Sequence, residues 1–130
     1  MIEAFSGLYA GKKVFLTGHT GFKGAWLSLW LKMLGAKITG FALEPPTEPS
    51  LFNELGIQED ITHFIGDIRD ISCLREVIKK SEPDIVFHLA SQPLVRLSYE
   101  QPVETFSTNV VGTANVLEVI RGVKSVKTCL

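Results

Sequence analysis

The sequence predicts an α/β domain built on a doubly wound parallel sheet with strand order 3-2-1-4-5. Two observations predict this fold class. Short apolar runs alternate with segments of helical length along the chain, and a glycine-rich turn joins the first run to the first helix. The connections are short, which favours parallel strands joined by right-handed crossovers. This is the Rossmann-type arrangement, and the chain is expected to stop within its fifth strand.

The first half of the chain is predicted to contribute three strands. Residues 13–17 form a buried strand that ends in the glycine-rich turn, and a helix over 22–34 follows. Apolar side chains cover most of the circumference of this helix, so we expect it to be buried on nearly all sides. The remaining elements are a strand at 37–43, a helical turn at 51–55 within a proline-rich connection, a strand at 62–66 and an amphipathic helix at 71–80.

The second half is predicted to add two strands and one long helix. Pro83 ends the preceding helix, and residues 84–89 form a strand whose nearly continuous apolar character is typical of a parallel strand covered on both faces. Residues 92–101 are predicted to be a loop, residues 102–121 a long helix, and residues 125–130 the start of the fifth strand.

Length and composition exclude several classes of protein. The 130 residues have the usual size of one domain, and 45% hydrophobic with 21% charged residues argues against disorder. The net charge of -1 leaves no basic excess for binding the phosphates of a nucleic acid. No secretory signal opens the sequence, and no apolar run is long enough to cross a membrane. Cys73 and Cys129 match no metal-binding spacing, so we expect a reduced, cytoplasmic protein without a metal site, a nucleic-acid partner or a membrane partner.

The glycine-rich turn, residues 17–24, is the strongest functional signal. Gly18, Gly21 and Gly24 follow the spacing G-x-x-G-x-x-G between a strand and a helix. In such a turn the first glycine permits the sharp bend, the second lets backbone amides approach a pyrophosphate, and the third lets the helix pack closely on the strand. The helix N-terminus adds unpaired N–H groups and a partial positive charge. We therefore predict a dinucleotide phosphate site, with a plain tight connection as the alternative.

Residues around the turn leave the choice of dinucleotide open. Lys23 either contacts phosphate or is solvated. His19 is expected to face solvent, with contact to the pyrophosphate as the alternative. An acid that holds the ribose 2′-hydroxyl is expected at the end of the second strand, but Ala42 occupies that place and Glu44 is the nearest substitute. No arginine stands there to bind a 2′-phosphate. The residues alone therefore do not decide between NAD and NADP.

Four spaced motifs resemble the extended short-chain dehydrogenase/reductase family, the NAD-dependent epimerases and dehydratases of nucleotide sugars. They are the glycine turn, Gly66-Asp67-Ile68-Arg69-Asp70, His88-Leu89-Ala90-Ser91-Gln92 and Thr108-Asn109-Val110-Val111-Gly112-Thr113. The resemblance implies NAD as cofactor, with Asp67 contacting the adenine, Ile68 flanking its ring and Asn109 steadying the active-site backbone. The predicted cofactor-binding residues are Gly18, Thr20, Gly21, Phe22, Lys23, Gly24, Asp67, Ile68, Leu89, Ala90, Ser91, Gln92 and Asn109.

Within that family, residues 18–27, 45–52 and 92–99 are most similar to the CDP-glucose 4,6-dehydratase branch. The resemblance implies a lyase that oxidises C4 of a glucose ring, eliminates water across C5 and C6, and returns the hydride to C6. It also implies a nucleotide-sugar partner, CDP-glucose, and a homo-oligomer for the full-length enzyme. Two alternatives stay open: another epimerase, dehydratase or reductase of the family, and a non-catalytic dinucleotide-binding module.

No catalytic residue is assigned within the chain. In the family a Tyr-x-x-x-Lys pair on a later helix supplies the base, and the match by spacing here, Tyr9 with Lys13, precedes the first strand and is expected to be accidental. We therefore expect residues 1–130 to be the amino-terminal part of an NAD(P)-binding Rossmann domain, with the catalytic and nucleotide-sugar-binding portion absent. Arg96, expected in a loop, is assigned to the substrate. A helix cap is the alternative role for Asp67, and His88 is left without a role.

Overall fold

The computed structural model describes residues 4–130, which form one five-stranded sheet. The strands are β1 (Lys13–Thr17), β2 (Lys37–Ala42), β3 (Thr62–Ile65), β4 (Ile85–His88) and β5 (Thr128–Cys129). Their order is β3-β2-β1-β4-β5, and every neighbouring pair is parallel. The predicted fold class and strand order are therefore confirmed.

Helices connect the strands along the described part of the chain. They are α1 (Phe22–Met33), α2 (Leu51–Glu54), α3 (Ile71–Ser81), α4 (Val95–Glu100), α5 (Pro102–Phe106) and α6 (Gly112–Arg121). A π-helical segment, Ser107–Val111, lies between α5 and α6, and short 3-10 segments lie at Phe5–Gly7 and Ile57–Glu59.

Both faces of the sheet carry buried apolar clusters. Phe15 of β1 packs in the cluster that contains residues of α3 and α6, whereas Val14 and Leu16 pack in the cluster that contains Leu31 of α1. Successive side chains of a strand point to opposite faces, so β1 supplies both clusters. Burial on both faces explains why the sequence of this strand is continuously apolar.

The register brings the carboxyl ends of three strands to one level. Thr17, the last residue of β1, lies opposite Phe41 of β2 and His88 of β4. The strands β2 and β4 lie on either side of β1. The helix that connects β1 to β2 and the helix that connects β3 to β4 therefore cover opposite faces of the sheet. In a doubly wound sheet this is where a crevice opens at the carboxyl ends of the strands.

The helices predicted at 51–55 and 71–80 are confirmed as α2 and α3. In each of them a side chain caps the first turn. Ser50 accepts a hydrogen bond from the N–H of Asn53 at the start of α2. Asp70 accepts from the N–H groups of Ser72 and Cys73 at the start of α3. Asp70 is therefore the cap of α3, and the capping alternative for Asp67 is wrong.

The predictions for residues 92–130 need three corrections. The predicted loop at 92–101 is wrong, because Val95–Glu100 forms α4. The helix predicted over 102–121 is interrupted by the π-helical segment, and β5 covers only Thr128–Cys129 of the predicted 125–130. An element as short as α4 contains too few residues to show a helical period in the sequence.

The expected burial of α1 on nearly all sides is also wrong. Trp26 and Trp30 are each 49% exposed, and Phe22 is 71% exposed. The buried face of α1 is formed largely by the small residues Ala25 and Ser28, with Leu31 beyond them. Small residues let the helix lie close to the sheet, and the bulky apolar side chains therefore point outwards.

Candidate functional site

A cavity of about 610 Å³ lies at the carboxyl ends of the strands, where the crevice was expected. The glycine turn and the start of α1 form one wall, and the segments that follow β2, β3 and β4 form the others. The lining residues are Gly18, Thr20, Gly21, Phe22, Lys23, Gly24, Ala42, Leu43, Glu44, Pro46, Gly66, Asp67, Ile68, Leu89, Ala90, Ser91, Pro93 and Thr108. All predicted cofactor-binding residues except Gln92 and Asn109 are in this lining.

The first glycine of the turn is required by both conformation and space. Gly18 has φ +79°, and a Cβ at this position would lie 2.7 Å from the backbone nitrogen of Ala90. Its own N–H donates to the carbonyl of Phe41 at 3.0 Å. The turn is therefore folded directly onto the ends of β2 and β4.

The other two glycines of the turn have different roles. A Cβ on Gly24 would lie 1.9 Å from the carbonyl oxygen of Gly18, so only glycine lets α1 approach the turn this closely. Gly21 has φ -78° and would place a Cβ at 3.4 Å from the same oxygen, which is an ordinary contact. Gly21 is the N-cap of α1 and has no side chain to bond the first N–H groups of the helix. These groups and the side chain of Lys23 stand at the cavity, where an anion is stabilised.

The prediction that His19 faces solvent is wrong. His19 is fully buried, and its ring packs edge-to-face with Phe52, with ring centroids 5.2 Å apart. The ring of His63 lies 5.5 Å away, and a Cβ on Gly40 would lie 2.5 Å from the His19 ring. Burial and the neighbouring His63 lower the pKa of His19 from 6.5 to about 4. His19 therefore anchors the turn to β2 and α2 as a neutral ring.

The end of β2 forms a second wall of the cavity. Thr20 donates its hydroxyl to the carbonyl of Leu43 at 2.7 Å, which ties the turn to this segment. Ala42 and Glu44 both line the cavity, so the carboxyl group nearest in sequence to position 42 stands at the same wall. Leu43 and Pro46 line it as well and were not predicted, although they directly follow a parallel strand, which is the available signal.

Asp67 lies at the end of β3 and is held by Arg69. Its Oδ1 accepts from the N–H of Arg69 at 2.8 Å, and its Oδ2 accepts from Nη2 of the same residue at 2.7 Å. The guanidinium also pairs with Glu104 of α5. The hydrogen bonds from Arg69 lower the pKa of the Asp67 carboxyl. Asp67 is therefore an ionised carboxylate of fixed orientation at the cavity, beside Ile68.

Gln92 and Asn109 support the wall that follows β4 rather than lining the cavity. The Oδ1 of Asn109 accepts from the N–H of Gln92 at 2.7 Å, and its Nδ2 donates to the carbonyl of Gln92 at 3.1 Å. The predicted cofactor contacts of these two residues are not seen in the cavity lining. Asn109 holds the backbone of Gln92 in this way, and its predicted role at an active site stays a prediction.

Arg96 and the Tyr9–Lys13 pair lie away from the cavity. The side chain of Arg96 is 92% exposed and pairs with Glu100 on the same helix. Lys13 is the first residue of β1 and lies at the amino ends of the strands, opposite to the cavity. Its Nζ lies 3.8 Å from Glu82. The spacing of Tyr9 and Lys13 therefore creates no site with the residues of the cavity.

Residues 4–130 contain neither a cluster of metal-ligating side chains nor a helix fit to span a membrane. No group of three or more metal-ligating side chains comes together in this range. Within the same residues, none of the helices combines the length and apolar character that crossing a membrane requires.

Comparisons with known proteins agree with this fold. Residues 15–130 match the family described as GDP-mannose 4,6 dehydratase. A CDP-glucose 4,6-dehydratase from Salmonella typhimurium (strain LT2) is 56% identical over 119 residues, which are 92% of this chain and 33% of that protein. The chain thus spans about a third of the length of this curated relative.

Solved structures of epimerases share the fold. An epimerase from Methanothermobacter thermautotrophicus has a TM-score of 0.75 at 29% identity, over 91% of this chain and 34% of that one. UDP-glucose 4-epimerase from Thermus thermophilus, solved in complex with NAD, has a TM-score of 0.76 at 27% identity, over 85% of this chain and 35% of that one. The resemblance inferred from the motifs is confirmed, and the chain belongs to the GDP-mannose 4,6-dehydratase family, among the epimerases and dehydratases of the extended short-chain dehydrogenases/reductases.

Proposed function

We propose that this chain is the NAD-binding, amino-terminal part of a CDP-glucose 4,6-dehydratase. The observation that carries the proposal is the 56% identity to the Salmonella enzyme of that name over 92% of the chain. The proposed overall reaction is the dehydration of CDP-glucose to a CDP-4-keto-6-deoxy sugar, through oxidation at C4, loss of water across C5 and C6 and reduction at C6. NAD supplies the hydride acceptor and donor when bound, and is unchanged overall.

The cavity residues fit a dinucleotide. The backbone cradle at Gly18 and Gly24 has no room for a Cβ, and the adjoining N-terminus of α1, with Lys23, suits a pyrophosphate. The carboxylate of Glu44 stands at the wall that would hold a ribose, where it favours free hydroxyls and repels a 2′-phosphate. This supports NAD over NADP.

The two remaining walls suit the two bases. Asp67, ionised and fixed by Arg69, can accept from an adenine amino group, and Ile68 supplies an apolar surface for the ring. Leu89, Ala90 and Ser91 form the wall on the far side of the turn, for the nicotinamide half. Asn109 would act there as a positioning residue, through the backbone of Gln92.

We propose that the chain alone has no dehydratase activity. The described residues bring no Tyr-Lys pair to the cavity: Tyr9 and Lys13 lie elsewhere, and Tyr99 has Val103 rather than a lysine four residues on. The base that removes the C4 hydroxyl proton would therefore come from residues outside this chain, as would the groups that recognise the nucleotide sugar. Cytoplasmic location is proposed on the free thiols of Cys73 and Cys129.

The first experiment tests binding and turnover together. Calorimetry with the 130-residue chain is expected to show binding of NAD+ and weaker binding of NADP+, because of Glu44. Incubation with CDP-glucose and NAD+ is expected to give no 4-keto product by mass spectrometry. Failure to bind NAD+ would contradict the cofactor proposal, and a 4-keto product would contradict the absence of a catalytic centre.

A second candidate within the family is a nucleotide-sugar epimerase, which the likeness to solved epimerases favours. The reaction product of the full-length enzyme distinguishes the two. A dehydratase removes water and lowers the mass of the sugar, whereas an epimerase leaves that mass unchanged. A non-catalytic binding module remains the third alternative. It would be supported if the source reading frame held no Tyr-x-x-x-Lys motif after position 130.

We further propose that the full-length enzyme is a homo-oligomer. Val103, Phe106, Val110 and Leu117 are exposed apolar residues at helical spacing along α5, the π-helical segment and α6. Exposed apolar residues that recur at helical spacing are typical of a protein–protein interface. Phe106→Glu is therefore expected to lower the mass of the full-length protein in sedimentation equilibrium, whereas Ile65→Glu, an exposed position at the end of β3, is not. Equal masses for the two variants would contradict this interface.

A further inference from the structure

A chain of hydrogen bonds crosses the domain beneath the cavity wall and passes through His88. The Nδ1 of His88 lies 2.7 Å from the hydroxyl of Thr17, at the end of β1. Its Nε2 lies 2.9 Å from the hydroxyl of Thr113, in the first turn of α6. Thr113 in turn donates its hydroxyl to the backbone carbonyl of Asn109 at 2.7 Å. Both ring nitrogens of His88 therefore have partners.

The partners determine where the protons are. The carbonyl of Asn109 can only accept, so the single proton of the Thr113 hydroxyl is used there, and Thr113 must accept from an Nε2–H of His88. At the other end, the hydroxyl oxygen of Thr17 accepts from the N–H groups of Leu89 and Ala90, both at 3.1 Å. The N–H of Leu89 is shared with the backbone carbonyl of Thr17, at 3.2 Å. A hydroxyl oxygen accepts two hydrogen bonds, so Thr17 donates its proton to Nδ1 of His88. His88 is thus neutral, with its proton on Nε2. Burial also lowers its pKa.

The chain of hydrogen bonds ends at the backbone that shapes the cavity. Asn109 lies in the π-helical segment, and its side chain bonds both the N–H and the carbonyl of Gln92. Gln92 directly follows Ser91, which lines the cavity. We infer that His88 is a positioning residue: by donating from Nε2 to Thr113 it fixes the π-helical segment, so that Asn109 holds the cavity wall at Ser91 and Gln92. The relevance of this wall to NAD rests on the proposed function, whereas the proton arrangement does not.

Nuclear magnetic resonance of the chain without cofactor tests the proton arrangement. The chain has three histidines, and of these His19 has no partner at either ring nitrogen and His63 has none at Nδ1 among the described residues. The ¹⁵N spectrum is expected to show His88 protonated at Nε2 and unprotonated at Nδ1, with an Nε2–H proton protected from exchange. A proton on Nδ1 of His88 would overturn the inference.

Substitutions at Thr113 test the positioning role. Thr113→Val keeps the shape of the side chain but removes the acceptor for His88. The Nε2–H signal is expected to lose its protection, and the amide of Gln92 is expected to exchange about tenfold faster, as for the loss of one hydrogen bond. Thr113→Ser keeps the hydroxyl and is expected to restore both signals.

Ser28→Ala is the matched control, since Ser28 is a buried hydroxyl that also donates to the carbonyl four residues earlier. It is expected to change stability without changing the signals of His88 or Gln92. If Thr113→Val left both signals unchanged, or if Ser28→Ala changed them equally, the positioning role would be overturned. A wild-type chain that bound no NAD+ but showed the expected signals would contradict the proposed function alone.

Discussion

The Gly24→Ala chain is expected to be destabilised by about 3 kcal/mol or more, which is a large part of the stability of a domain of this size. The added Cβ would lie 1.9 Å from the carbonyl oxygen of Gly18, 2.7 Å from its carbonyl carbon and 2.8 Å from the Cα of His19. All three atoms belong to the backbone, so no side-chain rotation relieves the contact. Either α1 moves away from the sheet or the turn opens. Urea unfolding followed by circular dichroism measures the loss.

Two other glycines provide controls for this prediction. Gly122→Ala adds a Cβ whose nearest neighbour is the carbonyl oxygen of Val119, at 3.6 Å, and is expected to change the free energy of unfolding by about 0.5 kcal/mol or less. In Gly21→Val the added Cβ would lie 3.4 Å from the carbonyl oxygen of Gly18, which is an ordinary contact, so the chain is expected to fold. Its side chain would, however, stand where an anion approaches the N-terminus of α1.

The two substitutions in the turn therefore separate folding from binding. Gly21→Val is expected to weaken NAD+ binding by about tenfold or more while the unfolding midpoint stays near that of the wild type. Wild-type stability of Gly24→Ala would show that the close approach of α1 to the turn is wrong. Equal calorimetric affinity of Gly21→Val and the wild type would contradict the phosphate site.

The sheet and most of the cavity could be predicted because their signals are local and periodic. The apolar run at β1, the glycine turn and the length of α1 together specify one crossover, and each later strand repeats the pattern. Once the strand order is known, residues that follow the strands must meet at one edge. Gly66, Leu43 and Pro46 could have been added to the predicted site on this ground alone.

The partners of charged and polar side chains could not be predicted, because they come from distant parts of the chain. Arg69 pairs with Glu104, 35 positions later, and this fixes the orientation of Asp67. His88 bonds Thr17 and Thr113, which lie on different elements. A sequence pattern shows that such residues exist, but only the packing of β1, β4 and α6 shows which atoms meet.

The burial of His19 was missed for a related reason. The turn residues of a phosphate site usually lie at the surface, and the sequence has no local signal that a ring at this position turns inwards. The space for it is created by Gly40 on the neighbouring strand and by Phe52 on a helix that follows the proline-rich connection. Gly40 in the middle of β2 is the one hint that the sequence offers, since glycine in a strand often marks a close approach.

This buried imidazole predicts that the domain loses stability in mild acid. The pKa of His19 is 6.5 in its ordinary state and about 4 in the fold. Between these two pH values the unfolded chain binds a proton that the folded chain does not, so lowering the pH favours unfolding. From about pH 7.5 to about pH 4.5 this residue is expected to remove about 2.5 kcal/mol from the free energy of unfolding. The half-buried His88 acts in the same direction, because its pKa is also lowered.

A comparison of the wild type with His19→Leu isolates this contribution. Leucine has a similar size and no ionisable group, and it replaces a ring whose two nitrogens have no hydrogen-bond partner among the described residues. The variant is expected to be at least as stable as the wild type at about pH 7.5 and about 2.5 kcal/mol more stable than it at about pH 4.5. The measurement is urea unfolding at several pH values that stay above the ordinary pKa of 3.8 of the Asp67 carboxyl. Parallel pH profiles for the two chains would mean that His19 takes up its proton as readily in the fold as in the unfolded chain, and that the turn is not anchored by a buried neutral ring.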